Sequence, residues 1–317
     1  MEYRRLGHAG IKLSALGLGG WTTFGESVTD LDRAKAIIRA AYEGGINFFD
    51  IADAYARGRA EEVMGEILAE YPRHTLVIST KAYWPMSDDI NDRGLSRKHL
   101  YESIQKSLKR IGTEYVDIYY CHRHDPDTPV EEVVRTMDDL IHWGIVLYWG
   151  TSEWPAARIA EAVGIARQYG LHAPRVEQPQ YNLLVRNRVE QQVLPIAREF
   201  GVGLTTFSPL ATGVLTGKYD QGIPEDSRFA RMDGLRERWL RDDVLERVRA
   251  LKDVADDLGI TRAQLALAWL LHRDGVSSVI TGATKVAHVQ DNLGALDVDL
   301  TPELLARIDE IVAGAVA

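Results

Sequence analysis

The chain has 317 residues, 45% of them hydrophobic and 26% charged, with a formal net charge of −9 and a single cysteine, Cys121. This acidic balance argues against a nucleic-acid-binding surface, and a lone cysteine excludes an intrachain disulfide and an all-cysteine metal cage, so no metal is expected. No stretch approaches the roughly 18 apolar residues of a membrane span and no basic-then-apolar leader opens the sequence, so the expected location is the cytoplasm.

In chain order, residues 2–16 read as two short strands around His8, Ala9 and Gly10, a hairpin signal. Short apolar runs then alternate with segments of helical period. The run 16-LGLG-19 precedes a helix over 30–44, 46-INFFD-50 one over 59–71, 76-LVISTK-81 one over 96–111, and 116-VDIYYCH-122 one over 129–143. The runs 146-VLYWGTS-152 and 175-RVEQPQ-180 precede helices over 155–169 and 187–200, and 202-VGLTTFS-208 and 277-SSVITG-282 complete the series. The clearest helix places Val130, Val133, Val134, Met137, Leu140 and Ile141 on one stripe, with Pro129 suited to its first turn. Residues 208–240 form an irregular segment far longer than an ordinary α/β loop, and such loops are usually functional. Two helical stretches, 243–258 and 301–314, exceed the count, the second opening with a Thr301 cap and Pro302 in the first turn. Alternating strand and helix implies a parallel sheet with right-handed crossovers, and eight such units close a (β/α)8 barrel. The expected fold is therefore α/β: one barrel domain over 1–317 with an N-terminal β-hairpin and two additional helices.

Chemistry in such a barrel sits at the carboxyl ends of the strands. The apolar runs end there on Asp50, Lys81, His122, Ser152 and Gln178, with Tyr55 just beyond Asp50. Closing the barrel brings a carboxylate, an ammonium, an imidazole and a phenol to one mouth. A phenol of pKa about 10 is a poor acid unless a cation stabilises its phenolate. Lys81 supplies that charge, Asp50 holds the lysine, and His122 orients and polarises a carbonyl. Such a device protonates a carbonyl oxygen while hydride reaches carbon, and since no side chain delivers hydride, a nicotinamide cofactor is implied.

Each member has a plainer alternative. Lys81 and Asp50 alone read more readily as a structural ion pair closing the barrel rim. His122 is the kind of lone histidine that a fold satisfies internally, and an open zinc site with His124 and Asp125 is geometrically poor. Tyr55 reads as a cover over the mouth, and Trp84 as core or as a substrate wall. The conjunction across several strands favours the catalytic reading.

The segments 47-NFFDIADAYARGRAEEVMG-65, 79-STK-81, 116-VDIYYCHRHDPDTPVEE-132, 147-LYWGTSEW-154, 208-SPLATGVLTGKY-219 and 276-VSSVITGAT-284 resemble the aldo-keto reductases, most closely the group containing beta subunits of voltage-gated potassium channels. The resemblance covers essentially the whole chain. It implies a catalytic tetrad of Asp50, Tyr55, Lys81 and His122 with Tyr55 as general acid, and NADPH/NADP+ as cofactor. It implies nicotinamide contacts from Asp50, Trp21, Ser152, Gln178 and Phe207. The segment 208–240 would cover the pyrophosphate through Ser208, Pro209, Leu210, Ala211, Thr212, Lys218, Ser227 and Arg228. The adenosine end falls on Gly282, Thr284, His288, Asp291 and Asn292, with Thr284 and Lys285 or Arg228 taking a 2′-phosphate. Trp21, Phe24, Tyr83 and Trp84 are expected around a substrate pocket for small carbonyl compounds.

Two functions compete on these grounds. One is an NADPH-dependent reductase of aldehydes and ketones, and the other is an NADP(H)-binding regulatory subunit of a channel or other partner. The full tetrad favours the first. The resemblance also implies a homo-oligomer, with a tetramer expected.

Overall fold

The computed structural model describes residues 1–225, 227–231, 234 and 236–314. Strands β1 (Tyr3–Arg5) and β2 (Lys12–Ser14) form an antiparallel hairpin with Arg4 opposite Leu13. The parallel strands β3 (Leu16–Gly19), β4 (Phe48–Asp50), β5 (Val77–Ala82), β6 (Val116–Cys121), β7 (Val146–Ser152), β8 (Val176–Gln178), β9 (Gly203–Thr206) and β10 (Val276–Thr281) pair in sequence order, and β10 returns to β3. The result is the closed eight-stranded (β/α)8 barrel that the alternation of runs implies.

Helices α1 (Leu31–Glu43), α2 (Arg59–Leu68), α3 (Arg97–Ile111), α4 (Val130–His142), α5 (Ala156–Tyr169) and α6 (Leu194–Phe200) touch in succession around the sheet. A π-helical turn, Val189–Val193, leads into α6. Two short helices, α7 (Arg228–Arg231) and α8 (Arg236–Trp239), lie within the long segment after β9. They are followed by α9 (Asp242–Asp257), α10 (Arg262–Leu271), α11 (Val286–Leu293) and α12 (Pro302–Ile311), with α11 closing the ring against α1. The apolar stripe of α4 is buried from Val130 to Leu140, but Pro129 is its N-cap and not part of its first turn. Thr301 caps α12 as expected, its hydroxyl accepting from the Leu304 amide. Helix α10 is absent from the stretches read in the sequence because it has no stripe: Ala263 and Leu265 through Leu271 are all buried. None of the helices among the described residues is long and apolar enough to cross a membrane.

The barrel interior is apolar at the amino ends of the strands, where Phe48, Val77, Ile118 and Val176 meet Leu6 and Leu13 of the hairpin. The hairpin turn is pressed onto β9. The His8 amide donates to the Gly201 carbonyl at 2.9 Å. Gly7 has φ +54, and a Cβ there would lie 2.3 Å from that same oxygen. This end is sealed, so polar groups inside the barrel gather at the other.

Candidate active site

Parallel register sets Asp50 beside Gly19 and Ser79, Lys81 beside Tyr120, and Ser152 beside Gln178. Asp50 is buried with every oxygen used: Oδ2 accepts from Lys81 Nζ at 2.7 Å, and Oδ1 from Ser79 Oγ at 2.7 Å and Gln178 Nε2 at 3.0 Å. Lys81, fully buried, also donates to the Ile51 carbonyl at 2.7 Å. Burying an ion pair is costly unless further hydrogen bonds satisfy it, and these do. The pair lies directly beneath the phenols, with Nζ 4.9 Å from the Tyr55 ring centre and 5.6 Å from that of Tyr120.

Burial holds the Lys81 ammonium below its usual range, against the pull of Asp50. The expectation that Lys81 depresses the Tyr55 phenol is not met. Burial, and then the Asp50 carboxylate, push the Tyr55 phenol well above its ordinary value, with Arg123 acting the other way. Burial, followed by the charges of Lys81 and Arg123, drives His122 well below the usual imidazole range, so it is neutral near pH 7. Its Nδ1 is buried with no partner among the described residues. The His122 ring meets Tyr55 edge-on at 5.7 Å and Trp84 at 6.2 Å.

These groups border a cavity of about 280 Å³ walled by Tyr55, His122, Ser152, Gln178, Phe207, Trp21, Trp84 and Arg123. Ser152 Oγ donates to the Gln178 carbonyl at 2.9 Å. Two of the expected pocket residues are elsewhere. Phe24 is 1% exposed and belongs to the hydrophobic core. Tyr83 stands behind Trp84, ring to ring at 5.1 Å, and packs against the core. Sequence reasoning missed Arg123, because a basic residue directly after a strand-end histidine reads the same whether it meets water or a ligand. The alternative zinc set also dissolves into local structure. Asp125 accepts from the Leu95 amide at 2.8 Å and Thr128 Oγ1 at 2.7 Å, and His124 lies edge-on to Trp154.

The rim backbone is strained. Among the described residues, the non-glycine positions with positive φ are Thr22, Ala56, Arg57, Glu153, Ser208, Ala211 and Thr212. Every one lies in a loop leaving the carboxyl end of β3, β4, β7 or β9. Such backbone costs energy and collects at functional sites. Tyr55 opens a turn in which Ala56, Arg57 and Gly58 are consecutively left-handed, at φ 48, 52 and 89.

After β9 the same conformation recurs at Ser208 and then at the consecutive Ala211, Thr212 and Gly213, a run of the kind that turns amides toward an anion. Within the same segment Pro209 is buried and Leu210 half-buried. Lys218 lies over Gly213, where an added Cβ would be 2.6 Å from Nζ. Ser227 Oγ is buried with no partner among the described residues. Arg228 donates to Thr22 Oγ1 at 2.6 Å and covers Trp21 at 5.4 Å, joining this segment to the loop after β3. Asp226, Met232, Asp233 and Leu235 of the segment lie outside the described residues.

At the far end, the Thr284 carbonyl accepts from Arg33 Nε at 2.9 Å and Nη2 at 2.6 Å, and Thr284 Oγ1 lies 3.4 Å from His288 Nδ1. Burial, and then the charges of Lys285, Lys218 and Arg33, lower the His288 imidazole, which marks a cluster of cations there. Arg33 had no sequence signal. Gly282 leads toward this cluster, while Asn292 is buried and Asp291 accepts from the Thr261 hydroxyl at 3.2 Å, at the cap of α10.

The Aldo/keto reductase family model matches residues 15–313, and the chain belongs to that family. Among curated proteins, two bearing the name "Probable voltage-gated potassium channel subunit beta", from Arabidopsis thaliana and Oryza sativa subsp. japonica, are each 50% identical over 319 residues, 98% of this chain and 97% of theirs. A "Putative voltage-gated potassium channel subunit beta" of Schizosaccharomyces pombe is 44% identical over 321 residues, 98% of this chain and 93% of its own.

Proposed function

We propose that the chain is an NADP(H)-dependent reductase of aldehydes and ketones. The observation that carries this reading is the buried Lys81–Asp50 pair, at 2.7 Å, set beneath Tyr55 beside a cavity that Tyr55 shares with a neutral His122. Tyr55 is the general acid. Burial keeps the proton on the phenol until a carbonyl oxygen draws it away, and the nearby Arg123 charge favours the phenolate left behind. The His122 imidazole orients and polarises the carbonyl. A nicotinamide cofactor, when bound, supplies the hydride.

The donor set suits such a cofactor. Ser152 and Gln178 offer amide partners, with Trp21 and Phe207 beside them on the cavity wall. The left-handed backbone at Ser208 and at Ala211–Gly213 with Lys218, and the unpartnered hydroxyl of Ser227, suit a pyrophosphate. The cations Lys285, Lys218 and Arg33 around Thr284 and His288 suit a 2′-phosphate. Arg228, at Trp21 and Thr22, serves better as a clasp over the cofactor than as the 2′-phosphate ligand. NADPH oxidation across a panel of aldehydes and ketones tests the proposal, and no turnover of any of them would refute it.

The names of the relatives carry a second reading, a regulatory subunit associated with a channel. It is compatible with the first, and co-purification with a channel protein, with and without NADPH, tests it. We also propose a cytoplasmic homo-oligomer, a tetramer, with a complete site in each barrel, since every residue above comes from one chain. Light scattering that gives a mass near one chain, 35.5 kDa, would exclude it.

A further inference from the structure

Arg123 is the only lysine or arginine among the described residues that wall the cavity. Lys81 brings no free charge there, because it is fully buried and paired with Asp50. Arg123 has no carboxylate within ion-pair distance among the described residues. The one acid on the cavity wall, Glu26, is exposed and unpaired with it. A half-buried guanidinium facing a cavity without a counter-charge is an uncompensated cation, and its most favourable partner is an anion that enters the cavity.

The guanidinium is also pre-positioned. Nη1 donates to the His122 carbonyl and, at 3.4 Å, to Ser152 Oγ, while Cζ stands 5.5 Å from the Trp84 ring. Those contacts hold one edge of the fork. Nε and Nη2 have no hydrogen-bond acceptor among the described residues, and two adjacent N–H groups match the two oxygens of a carboxylate. Arg123 follows His122 directly, and its charge bears on Tyr55, Lys81 and His122. An anion held by Arg123 would therefore lie within one small molecule's length of the proton donor, between the aromatic walls of Trp21, Trp84 and Phe207.

We propose that Arg123 is a carboxylate-binding residue of the pocket, and that the preferred substrates are small carbonyl compounds that carry a carboxylate. The inference rests on the reductase reading and names its substrate class. The competing role for the same fork is the carboxamide of the cofactor, which Ser152 is placed to serve.

The test compares 4-carboxybenzaldehyde with its methyl ester, which keeps the ring and the aldehyde and removes the charge. The wild-type kcat/KM should favour the acid by about 10- to 100-fold, mainly through KM, the worth of a charge-assisted bidentate contact. Arg123→Gln should bring the acid-to-ester ratio near one, and Arg123→Lys should hold an intermediate ratio. Equal use of both by the wild type, or a ratio unchanged in Arg123→Gln, would overturn the proposal. A rise in the NADPH Kd of Arg123→Gln with the ratio unchanged would assign the fork to the cofactor. Titration of tryptophan fluorescence with 4-carboxybenzoate is independent of turnover. Saturable quenching in the wild type that is lost in Arg123→Gln, in a protein that reduces nothing, would uphold the anion site and remove only the reductase reading. No saturable quenching together with no acid preference overturns the anion site itself.

Discussion

At the scale of single residues, the site divides its labour between charges that are spent and protons that are held. Lys81 and Asp50 neutralise each other, while Tyr55 and His122 are kept uncharged by burial. Tyr55→Phe should lower kcat by about 100-fold or more and leave the NADPH Kd within about twofold, because the hydroxyl has no part in holding the cofactor; steady-state kinetics with fluorescence titration reads both. A variant that kept a tenth of the wild-type rate would count against Tyr55 as acid. Arg33 gives the cofactor counterpart. Its guanidinium fixes the Thr284 carbonyl and contributes to the charge around His288, so Arg33→Ala should narrow the preference for NADPH over NADH by about tenfold, the worth of one lost ionic contact. Loss of affinity for both cofactors alike would show that Arg33 only braces the loop. Asp50, Lys81 and His122 were legible because each ends an apolar run. Arg33 and Arg123 were not, because an arginine on a helix or after a strand looks the same in sequence whether it meets water or a ligand.

At the scale of elements, each barrel strand was legible as a short apolar run between turn signals, because a strand buried on both faces needs no alternation. Helix α10 was illegible for the matching reason. Buried on nearly every side, it shows no period, and only its Thr261–Gln264 capping box marks where it begins. Phe24 was misjudged because a loop aromatic reads the same whether it faces the mouth or the core. The strained turns could not be read either, since Ala56, Arg57, Ser208 and Ala211 are residue types that give no notice of a positive φ. Glycine does give that notice at the closed end of the barrel. A Cβ at Gly7 would meet backbone atoms of Gly201 and Gly203 at 2.3 and 2.5 Å, neither of them the flexible end of a side chain. Gly7→Ala should therefore destabilise the fold by roughly 2–4 kcal/mol through displacement of the hairpin, measured by urea unfolding. A loss below about 0.5 kcal/mol would mean that the hairpin shifts freely and is not a plug.

At the scale of the whole molecule, the fold buries carboxylates that hold their protons up to near-neutral pH. Asp53 is wholly buried, its Oδ2 accepts from Ser103 Oγ at 2.8 Å and its Oδ1 has no partner among the described residues. Burial first, then the nearby Glu61 carboxylate, raise it from 3.8 to about 7, with Ser103 and Arg110 opposing. Glu177, buried against Thr151 and Arg188, is likewise raised to about 7. For an acid raised on folding, the native state binds more protons than the unfolded chain between the two pKa values, so stability falls as pH rises through that window and levels off above about 7. The histidines complicate a bulk measurement: burial lowers His122 and His99, and each such group makes stability rise with pH up to about 6.5. Comparison with Asp53→Asn removes that background, because the amide keeps the acceptor for Ser103 and cannot ionise. The variant should gain on the wild type as pH rises from about 5 to 8, by on the order of 2 kcal/mol, since one pKa unit corresponds to about 1.4 kcal/mol, and the gap should stay constant at higher pH. Urea unfolding of both proteins across that range reads the difference directly. A gap that does not change with pH would mean that Asp53 is already ionised in the folded barrel, with Arg110 or another cation carrying its charge.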